Sequence, residues 1–220
     1  MNILFIGNSY TYYNDMPVLF DTLCKANGRD VKVFAVTCPD RKLYENLTPY
    51  DSHWAKVREI TAENHIDVCI LQENSLLPIT DNDAFINGLT MIKEDIGARV
   101  SKFVLYETWG RKNGAEFLAE NRLSSVAMTN IIHEKYKKAA ELMGMEISPV
   151  GKHFADVYRG GSGIELYCSD NSHPAREGSC LAACVHYKTI FGKLPQNMAC
   201  LKLTSYDIFI FTASLEKDFE

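Results

Sequence analysis

The fold is decided by the opening stretch of the chain, Ile3-Leu4-Phe5-Ile6-Gly7-Asn8-Ser9. Four consecutive apolar residues, beginning at the third position, are typical of a strand that is buried on both faces of a parallel sheet. Gly7 lets the backbone turn sharply at a position where a side chain would clash. Asn8 and Ser9 then come at the carboxyl end of the strand, the edge at which open α/β sheets place their ligands. The sequence therefore predicts that the Ser9 hydroxyl faces a binding crevice.

Strands and helices alternate along the rest of the chain. Apolar and β-branched runs predict further strands over 31–36, 67–72, 102–106 and 146–149. Apolar residues at helical spacing predict intervening helices over 14–28, 49–64, 81–96, 120–143, 154–158 and 174–191. Asn14 or Asp15 is the expected cap of the first of these helices. This alternation predicts a three-layer α/β/α sandwich around a parallel sheet of about five strands.

The length of 220 residues predicts a single domain over 1–220. Residues 196–220 are expected to form a C-terminal extension of this domain, and the sequence does not indicate its structure. Within the extension, the run Ile208–Phe211 fits both an edge strand and a turn of helix.

Composition argues against several classes of function. The net charge is −5 and no Lys/Arg cluster stands out, so the basic face that nucleic-acid binding needs is not expected. No run approaches the roughly 18 apolar residues of a membrane helix. Seven cysteines form no C-x-x-C pair and predict reduced thiols, with Cys180 and Cys184 as small core residues rather than metal ligands. Because no export signal precedes the first strand, the predicted location is the cytoplasm.

A second polar block, Ser169-Asp170-Asn171-Ser172-His173-Pro174, lies near the other end of the chain. It resembles the last block, D-x-x-H-P, of the SGNH (GDSL-type) hydrolases. Gly7-Asn8-Ser9-Tyr10-Thr11 resembles the first block of that family, with Asn8 where the commoner form has Asp. The two blocks stand in the family's chain order, and the sequences around Gly178–Cys184 and Phe191–Pro195 resemble a bacterial branch of it. The resemblance implies the flavodoxin-like SGNH hydrolase fold and a serine esterase that uses no cofactor and no metal.

The same resemblance implies a catalytic triad of Ser9, His173 and Asp170. A serine hydroxyl is a poor nucleophile until a base takes its proton, and a carboxylate must hold that base in the right tautomer. Asp170 and His173 are three residues apart in a turn that enters a helix, so the carboxylate can reach one ring nitrogen while the other faces Ser9. Taken singly, Asp170 also fits a helix cap, and His173 also fits a surface histidine.

Acyl transfer further requires donors to the oxyanion of the tetrahedral intermediate. The resemblance implies the backbone N–H of Ser9, a backbone N–H after the second strand, and an Asn side chain after the third. The Asn falls on Asn74, which also fits an ordinary turn residue. The backbone donor falls on Asp40, where the chain departs from the family pattern, because residues 38–43 contain no glycine and Pro39 has no N–H. The Asp40 carboxylate would oppose the oxyanion unless it points away or pairs with Arg41.

Aromatic side chains follow several of the predicted strands, and Tyr10, Tyr12 and Trp109 are the expected substrate-binding residues. Aromatic rings with polar tips suit the faces of sugars, although helix packing explains one or two of them equally well. The predicted substrate is therefore a small-molecule ester of an acetyl or other short acyl group, with a carbohydrate as one candidate alcohol. The sequence indicates neither the acyl length nor the oligomeric state.

Two other classes of protein remain open at this point. A flavodoxin-like protein binds an anion or cofactor in the loop after its first strand, where Ser9, Thr11 and a helix N-terminus can hold a phosphate. That interpretation leaves Asp170 and His173 without a role. A non-catalytic binding protein on a hydrolase fold is the third possibility, and the missing glycine near Asp40 favours it.

Overall fold

The computed structural model describes residues 1–47 and 51–219. Its five strands form one parallel sheet, as the alternation of strands and helices predicts. In chain order the strands are β1 (Asn2–Gly7), β2 (Lys32–Thr37), β3 (Val68–Leu71), β4 (Phe103–Tyr106) and β5 (Glu146–Ser148). Across the sheet they are arranged in the order β2-β1-β3-β4-β5. The chain runs outward from β1 to β2 and then returns to β3 on the other side of β1. The carboxyl end of β1 therefore lies where the strand order reverses, and open α/β sheets form their ligand crevice at this point.

Helices cover both faces of the sheet and give the predicted three layers. In the described residues they are α1 (Ser9–Tyr12), α2 (Met16–Ala26), α3 (Ser52–Glu63), α4 (Leu77–Thr80), α5 (Asn82–Ile96), α6 (Glu116–Glu120), α7 (Ser125–Met143), α8 (Val150–Arg159), α9 (Arg176–Phe191) and α10 (Ser205–Leu215). Short 3-10 turns occupy Tyr13–Asp15, Leu43–Leu47, Gly97–Arg99 and Ala199–Leu201. None of the helices in the described ranges is both long and apolar enough to cross a membrane.

Alternate residues of each buried strand enter different cores. Ile3 and Phe5 of β1 pack with α2, α8, α9 and α10, whereas Leu4 and Ile6 pack with α3, α5 and α7. Both cores are apolar and fully shielded, so β1 is buried on its two faces, as its unbroken apolar run predicts.

The boundaries of several helices differ from the predicted ones for local reasons. α3 begins at Ser52 because Asp51 Oδ1 accepts from the backbone N–H groups of His53 and Trp54, at 2.8 and 3.0 Å. The predicted start of this helix at position 49 lies outside the described residues. α7 begins at Ser125 and not at 120, because Ser124 caps it and α6 forms a separate short helix before it.

The first helical segment also differs from the prediction. Asp15 precedes α2, but its φ of 54° is left-handed and its side chain makes no capping hydrogen bond. The helical path instead starts earlier, with α1 at Ser9, which is the first residue after the Asn8 cap. Asp15 is thus the N-cap residue of α2, as predicted, but its side chain makes no capping hydrogen bond, and Ser9 stands at an earlier helix start.

The C-terminal extension contains α10, so the edge-strand alternative for Ile208–Phe211 is wrong. Thr204 and Asp207 form a reciprocal capping box, which starts a helix at Ser205. Phe211 and Leu215 are fully buried in the same core as α8 and α9. The apolar residues of this segment thus follow helical packing and not strand pairing.

Candidate active site

The turn after β1 is held by a buried glutamine from the end of β3. Gln72 Oε1 accepts from the Asn8 backbone N–H at 2.9 Å and from Thr11 Oγ1 at 2.8 Å. A Cβ on Gly7 would lie 2.5 Å from Thr11 Oγ1 and 2.6 Å from Gln72 Oε1. Gly7 is therefore required for space rather than for a positive φ. This packing leaves the Ser9 side chain at the carboxyl edge of the sheet.

The predicted triad residues meet, although Ser9 and His173 are 164 positions apart. His173 Nε2 lies 2.8 Å from Ser9 Oγ, and His173 Nδ1 lies 2.5 Å from Asp170 Oδ2. The other carboxylate oxygen, Asp170 Oδ1, accepts from the backbone N–H groups of Ser172 and His173, both at 2.9 Å. One carboxylate thus shapes the turn and orients the ring. Such an arrangement can move the Ser9 proton to Nε2.

The environment of Asp170 favours its ionised form. Partial burial acts to raise the pKa of the carboxyl, but the hydrogen bonds from His173 and Ser172 outweigh it and hold the pKa below its usual value. A carboxylate at this position stabilises an imidazolium when His173 accepts a proton.

Aromatic rings fix the position of the His173 ring. The Tyr13 ring stacks on it, with centroids 4.3 Å apart, and the Tyr10 ring meets it edge-on at 5.5 Å. Behind Tyr10 lies Trp109, stacked at 4.7 Å, and behind Trp109 lies Phe154, stacked at 3.9 Å. The stack of Tyr10, Trp109 and Phe154 thus extends from the His173 ring into the core between α8 and the sheet, and it supports the position of the imidazole.

The three aromatic residues predicted to bind substrate therefore have different positions. Trp109 is fully buried and its Nε1 donates to the Ser172 carbonyl at 3.0 Å, so in this structure its side chain supports the site from the core and has no surface open to a substrate. Phe154, which covers its second face, is the physical reason. Tyr10 is only 4% exposed, whereas Tyr12 keeps part of its surface in solvent. For Tyr12, substrate contact stays a prediction.

The loop after β2 approaches Ser9 and carries Asp40. Asn8 Nδ2 donates to the Arg41 carbonyl at 3.1 Å, and the Cys38 N–H donates to the Gly7 carbonyl at 3.1 Å. Asp40 has a φ of 53°, in the left-handed region that glycine adopts at low cost, so a glycine would fit this position without strain. Within residues 1–47 and 51–219, no acceptor is hydrogen-bonded to the backbone N–H of Asp40 or of Ser9.

Asn74 connects this loop to the end of β3. Its Nδ2 donates to Asp40 Oδ1 at 2.9 Å, while its Oδ1 accepts from the Leu76 N–H at 3.0 Å. The Asp40 carboxylate thus pairs with Asn74 and not with Arg41, which forms an ion pair with Asp51. Asn74 is both the turn residue and a neighbour of the Asp40 loop, and the second hydrogen of its Nδ2 is left for another acceptor.

Glu73 is a site residue that the sequence analysis did not identify. It is fully buried, and its carboxyl accepts from the Asn74 N–H at 2.6 Å and from the Leu43 N–H at 3.1 and 3.2 Å. Burial raises the pKa of Glu73 to about 8, although these N–H groups act to lower it. The side chain clamps together the two segments that carry Asp40 and Asn74. An acidic residue directly after a buried strand was the available signal.

Arg111, in the loop after β4, is a second residue at this site that the sequence analysis did not identify. Its Nη1 donates to both the Tyr10 hydroxyl and Ser172 Oγ, and these two oxygens lie 2.7 Å from each other. The guanidinium thus contacts the residue that follows Ser9 and the residue that precedes His173.

The structure also bears on the anion-binding alternative. Thr11 is fully buried and its hydroxyl donates to Gln72, so it is not available to a phosphate as that alternative requires. Cys180 and Cys184 are buried in the core on α9. In the part of the chain that the structure describes, no group of three or more His, Cys, Asp or Glu side chains is arranged to hold a metal ion.

Comparison with known proteins places the chain in a family. No family model and no curated protein matches the sequence. Among solved structures, a protein from Slackia heliotrinireducens described as an SGNH hydrolase is 31% identical, with a TM-score of 0.72 over 86% of this chain and 98% of that chain. A DUF4886 family protein from Bacteroides uniformis reaches a TM-score of 0.80 at 16% identity, over 98% of this chain and 93% of its own.

An acetylxylan esterase from Geobacillus stearothermophilus shares the fold, with a TM-score of 0.63 at 14% identity over 86% of this chain and 93% of its own. At such identities a likeness shows the fold alone. The relative from Slackia heliotrinireducens, which is 31% identical and is matched over 98% of its length, shows the family as well as the fold. The chain belongs to the SGNH hydrolases and is an enzyme of that type.

Proposed function

We propose that this enzyme hydrolyses a small ester of an acetyl or other short acyl group through a triad of Ser9, His173 and Asp170. The observation that carries the proposal is the 2.8 Å contact between His173 Nε2 and Ser9 Oγ, with Asp170 on the opposite ring nitrogen. A base must lie within hydrogen-bond reach of the proton that it removes, and this contact meets that requirement.

The reaction follows from the geometry in two halves. His173 Nε2 takes the Ser9 proton as Oγ attacks the acyl carbonyl carbon, and the imidazolium is stabilised by Asp170. The tetrahedral intermediate collapses when His173 returns the proton to the alcohol oxygen, which leaves an acyl-Ser9. Water, deprotonated by His173, then attacks the acyl carbon and releases the acid with Ser9 restored.

The proposed oxyanion donors are the N–H groups of Ser9 and Asp40 and the Nδ2 of Asn74. Both backbone N–H groups lack a hydrogen-bond acceptor among the described residues, which is the state that a waiting oxyanion site needs. The hydrogen bonds from Asn8 and Asn74 bring the Asp40 loop towards Ser9. Donors that are held in place before the reaction stabilise the developing charge without reorganisation.

Two observations support a small polyol ester as the substrate. Ser9 is only 9% exposed, so a bulky acyl group has little room beside it. A fold neighbour is an acetylxylan esterase, and the partly exposed Tyr12 offers a ring with a polar tip to a sugar face.

Labelling by a fluorophosphonate probe tests the proposal directly, because such a probe reacts with an activated serine. We expect mass spectrometry of the labelled protein to find the adduct on Ser9, and Ser9→Ala to abolish it. Ser172→Ala is the matched control, since it removes a neighbouring hydroxyl and leaves Ser9 in place. Absence of labelling in the folded wild-type protein, or equal labelling of Ser9→Ala, would refute the proposed nucleophile.

A further inference from the structure

Arg111, whose guanidinium contacts the side chains of Tyr10 and Ser172, has no carboxylate partner among the described residues. The ion pairs among residues 1–47 and 51–219 include Arg41 with Asp51 and Arg58 with Asp95, but none contains Arg111. Even the adjacent Lys112 is paired, with Glu165. The chain has 28 acidic and 23 basic side chains, so carboxylates are in excess. Arg29 and Arg176 are also partly buried and also have no ion pair among the described residues, so it is the contact with Tyr10 and Ser172 that distinguishes Arg111.

Structural packing accounts for only part of this side chain. Nη1 serves the hydroxyls of Tyr10 and Ser172. The guanidinium also lies 5.7 Å from the centroid of the Tyr10 ring. Within the described residues, Nε and Nη2 have no hydrogen-bond partner, and neither atom is completely buried. A guanidinium carries five N–H donors, and the three on these two nitrogens are left for an acceptor from outside the chain.

The position of Arg111 relates it to the reaction. The two hydroxyls that it contacts belong to the residue after Ser9 and the residue before His173. All of these groups lie at the carboxyl edge of the sheet, beside the point where the strand order reverses. The Tyr10 ring, which carries one of these hydroxyls, also contacts the His173 ring, with centroids 5.5 Å apart, and this contact connects the guanidinium to the proposed triad.

We propose that Arg111 binds an anionic oxygen group, a carboxylate or a phosphate, on the alcohol part of the ester. The inference rests on the proposed function, in which the acyl part is short, so that a charge on the substrate must lie on the alcohol. Arginine presents donors in a planar fork that matches carboxylate and phosphate oxygens. The substrate class is then an anionic short-chain ester, and Arg111 determines this specificity.

A charge series of small acetate esters tests the inference. The series comprises neutral glycerol 1-acetate, 3-O-acetylglycerate with a carboxylate, 3-O-acetylglycerol 1-phosphate, and cationic acetylcholine. Hydrogen bonds to charged groups contribute about 1.5–3 kcal/mol, so we expect kcat/KM to be about tenfold or more higher for an anionic ester than for the neutral one. The two anionic arms distinguish a carboxylate from a phosphate. The cationic ester should be the poorest substrate, and added salt should reduce the preference.

Variants assign the preference to one side chain. Arg111→Gln should bring the ratio of anionic to neutral kcat/KM close to one, and Arg111→Lys should keep part of it, because a lysine retains the charge without the fork. Lys112→Gln makes the same change of net charge one position away and should retain the ratio. Tyr10→Phe removes a hydroxyl partner of Arg111 but keeps the guanidinium, and should also retain it.

Several results would overturn the inference. If the wild-type enzyme hydrolyses the neutral ester as well as the anionic ones, the specificity is absent while the proposed esterase function stands. A loss of the ratio in Lys112→Gln equal to that in Arg111→Gln would show a long-range effect of charge. If no ester is hydrolysed and Ser9 is not labelled, the proposed function fails and the inference fails with it.

Should Arg111→Gln not fold, inhibition of the wild-type enzyme answers the same question. Free glycerate or glycerol phosphate should then inhibit ester hydrolysis more strongly than glycerol does, and equal inhibition would contradict the inference.

Discussion

The substitution Asp40→Asn tests the effect of the negative charge that opposes the proposed oxyanion. Asp40→Asn removes the negative charge but keeps an oxygen that accepts from Asn74 Nδ2, the contact that measures 2.9 Å in the structure. Asparagine also tolerates the left-handed φ of 53° found at this position. The variant therefore changes the electrostatics of the proposed oxyanion site with little change in its geometry.

The size of the effect follows from the distances. The Asp40 oxygen lies 2.9 Å from Asn74 Nδ2, and an oxyanion accepting from the same nitrogen adds about another 2.9 Å. Two like charges about 5.5 Å apart repel by about 0.8 kcal/mol at the dielectric constant of water, and by about 1.5 kcal/mol at half that value. Since Asp40 is exposed, the lower figure is the better guide. We expect kcat/KM to rise about fourfold in Asp40→Asn, with an upper limit near tenfold.

Steady-state hydrolysis of p-nitrophenyl acetate by the wild-type enzyme and three variants measures this effect. Asp40→Gly removes the same charge and also the left-handed strain of about 1–2 kcal/mol, so it should preserve or raise activity. Asn74→Ala removes a proposed oxyanion donor and should lower kcat about a hundred- to a thousandfold. The Asp40 and Asn74 variants should therefore change the rate in opposite directions.

The opposite pattern would refute this reasoning. If Asp40→Asn and Asp40→Gly abolish activity while Asn74→Ala leaves it unchanged, the proposed oxyanion arrangement does not apply. The Asp40 carboxylate would then have a direct role with the substrate.

Three further predictions concern the triad, the buried acid and the β1 turn. Ser9→Ala and His173→Ala should each remove nearly all hydrolysis of p-nitrophenyl acetate, and the double variant should be hardly slower than either, because triad members act as a unit; losses that multiply would contradict that shared role. The pKa of Glu73, raised to about 8 from 4.5, means that the folded protein keeps a proton that the unfolded chain releases between these values. Glu73 should therefore lower the free energy of unfolding by about 1.4 kcal/mol per pH unit as the pH rises towards 8. Urea titrations at several pH values should show that the free energy of unfolding of Glu73→Gln depends less on pH than that of the wild type. Gly7→Ala should lower the melting temperature and the activity, because its Cβ would lie 2.5 Å from Thr11 Oγ1, and overpacking costs about 1–3 kcal/mol; Gly97→Ala, whose Cβ has no neighbour closer than 3.7 Å, is the control and should melt near the wild type.

The sequence alone determined the order of the elements and the sheet. An unbroken apolar run such as Ile3–Ile6 predicts a strand that is buried on both faces, and helices must then cover those faces. The resemblance of two short blocks to the SGNH hydrolases also indicated that Ser9, Asp170 and His173 would meet, and local hydrogen bonds shape the block that carries Asp170 and His173. The first residues of the helices were harder to predict from the sequence, because the capping residues Ser124 and Thr204 have other polar residues nearby that also fit a cap.

Tertiary structure alone decided the surroundings of those residues. The pairing of Asp40 with Asn74, the contacts of Arg111 with Tyr10 and Ser172, and the burial of Trp109 against Phe154 each join segments that are distant in the chain. Such contacts depend on how helices and loops pack over the sheet, and no local pattern of polarity encodes them. A tyrosine, an arginine or a tryptophan after a strand fits a crevice wall and a buried support equally well. The packing of helices and loops over the sheet determines whether such a side chain lines the crevice or is buried as a support.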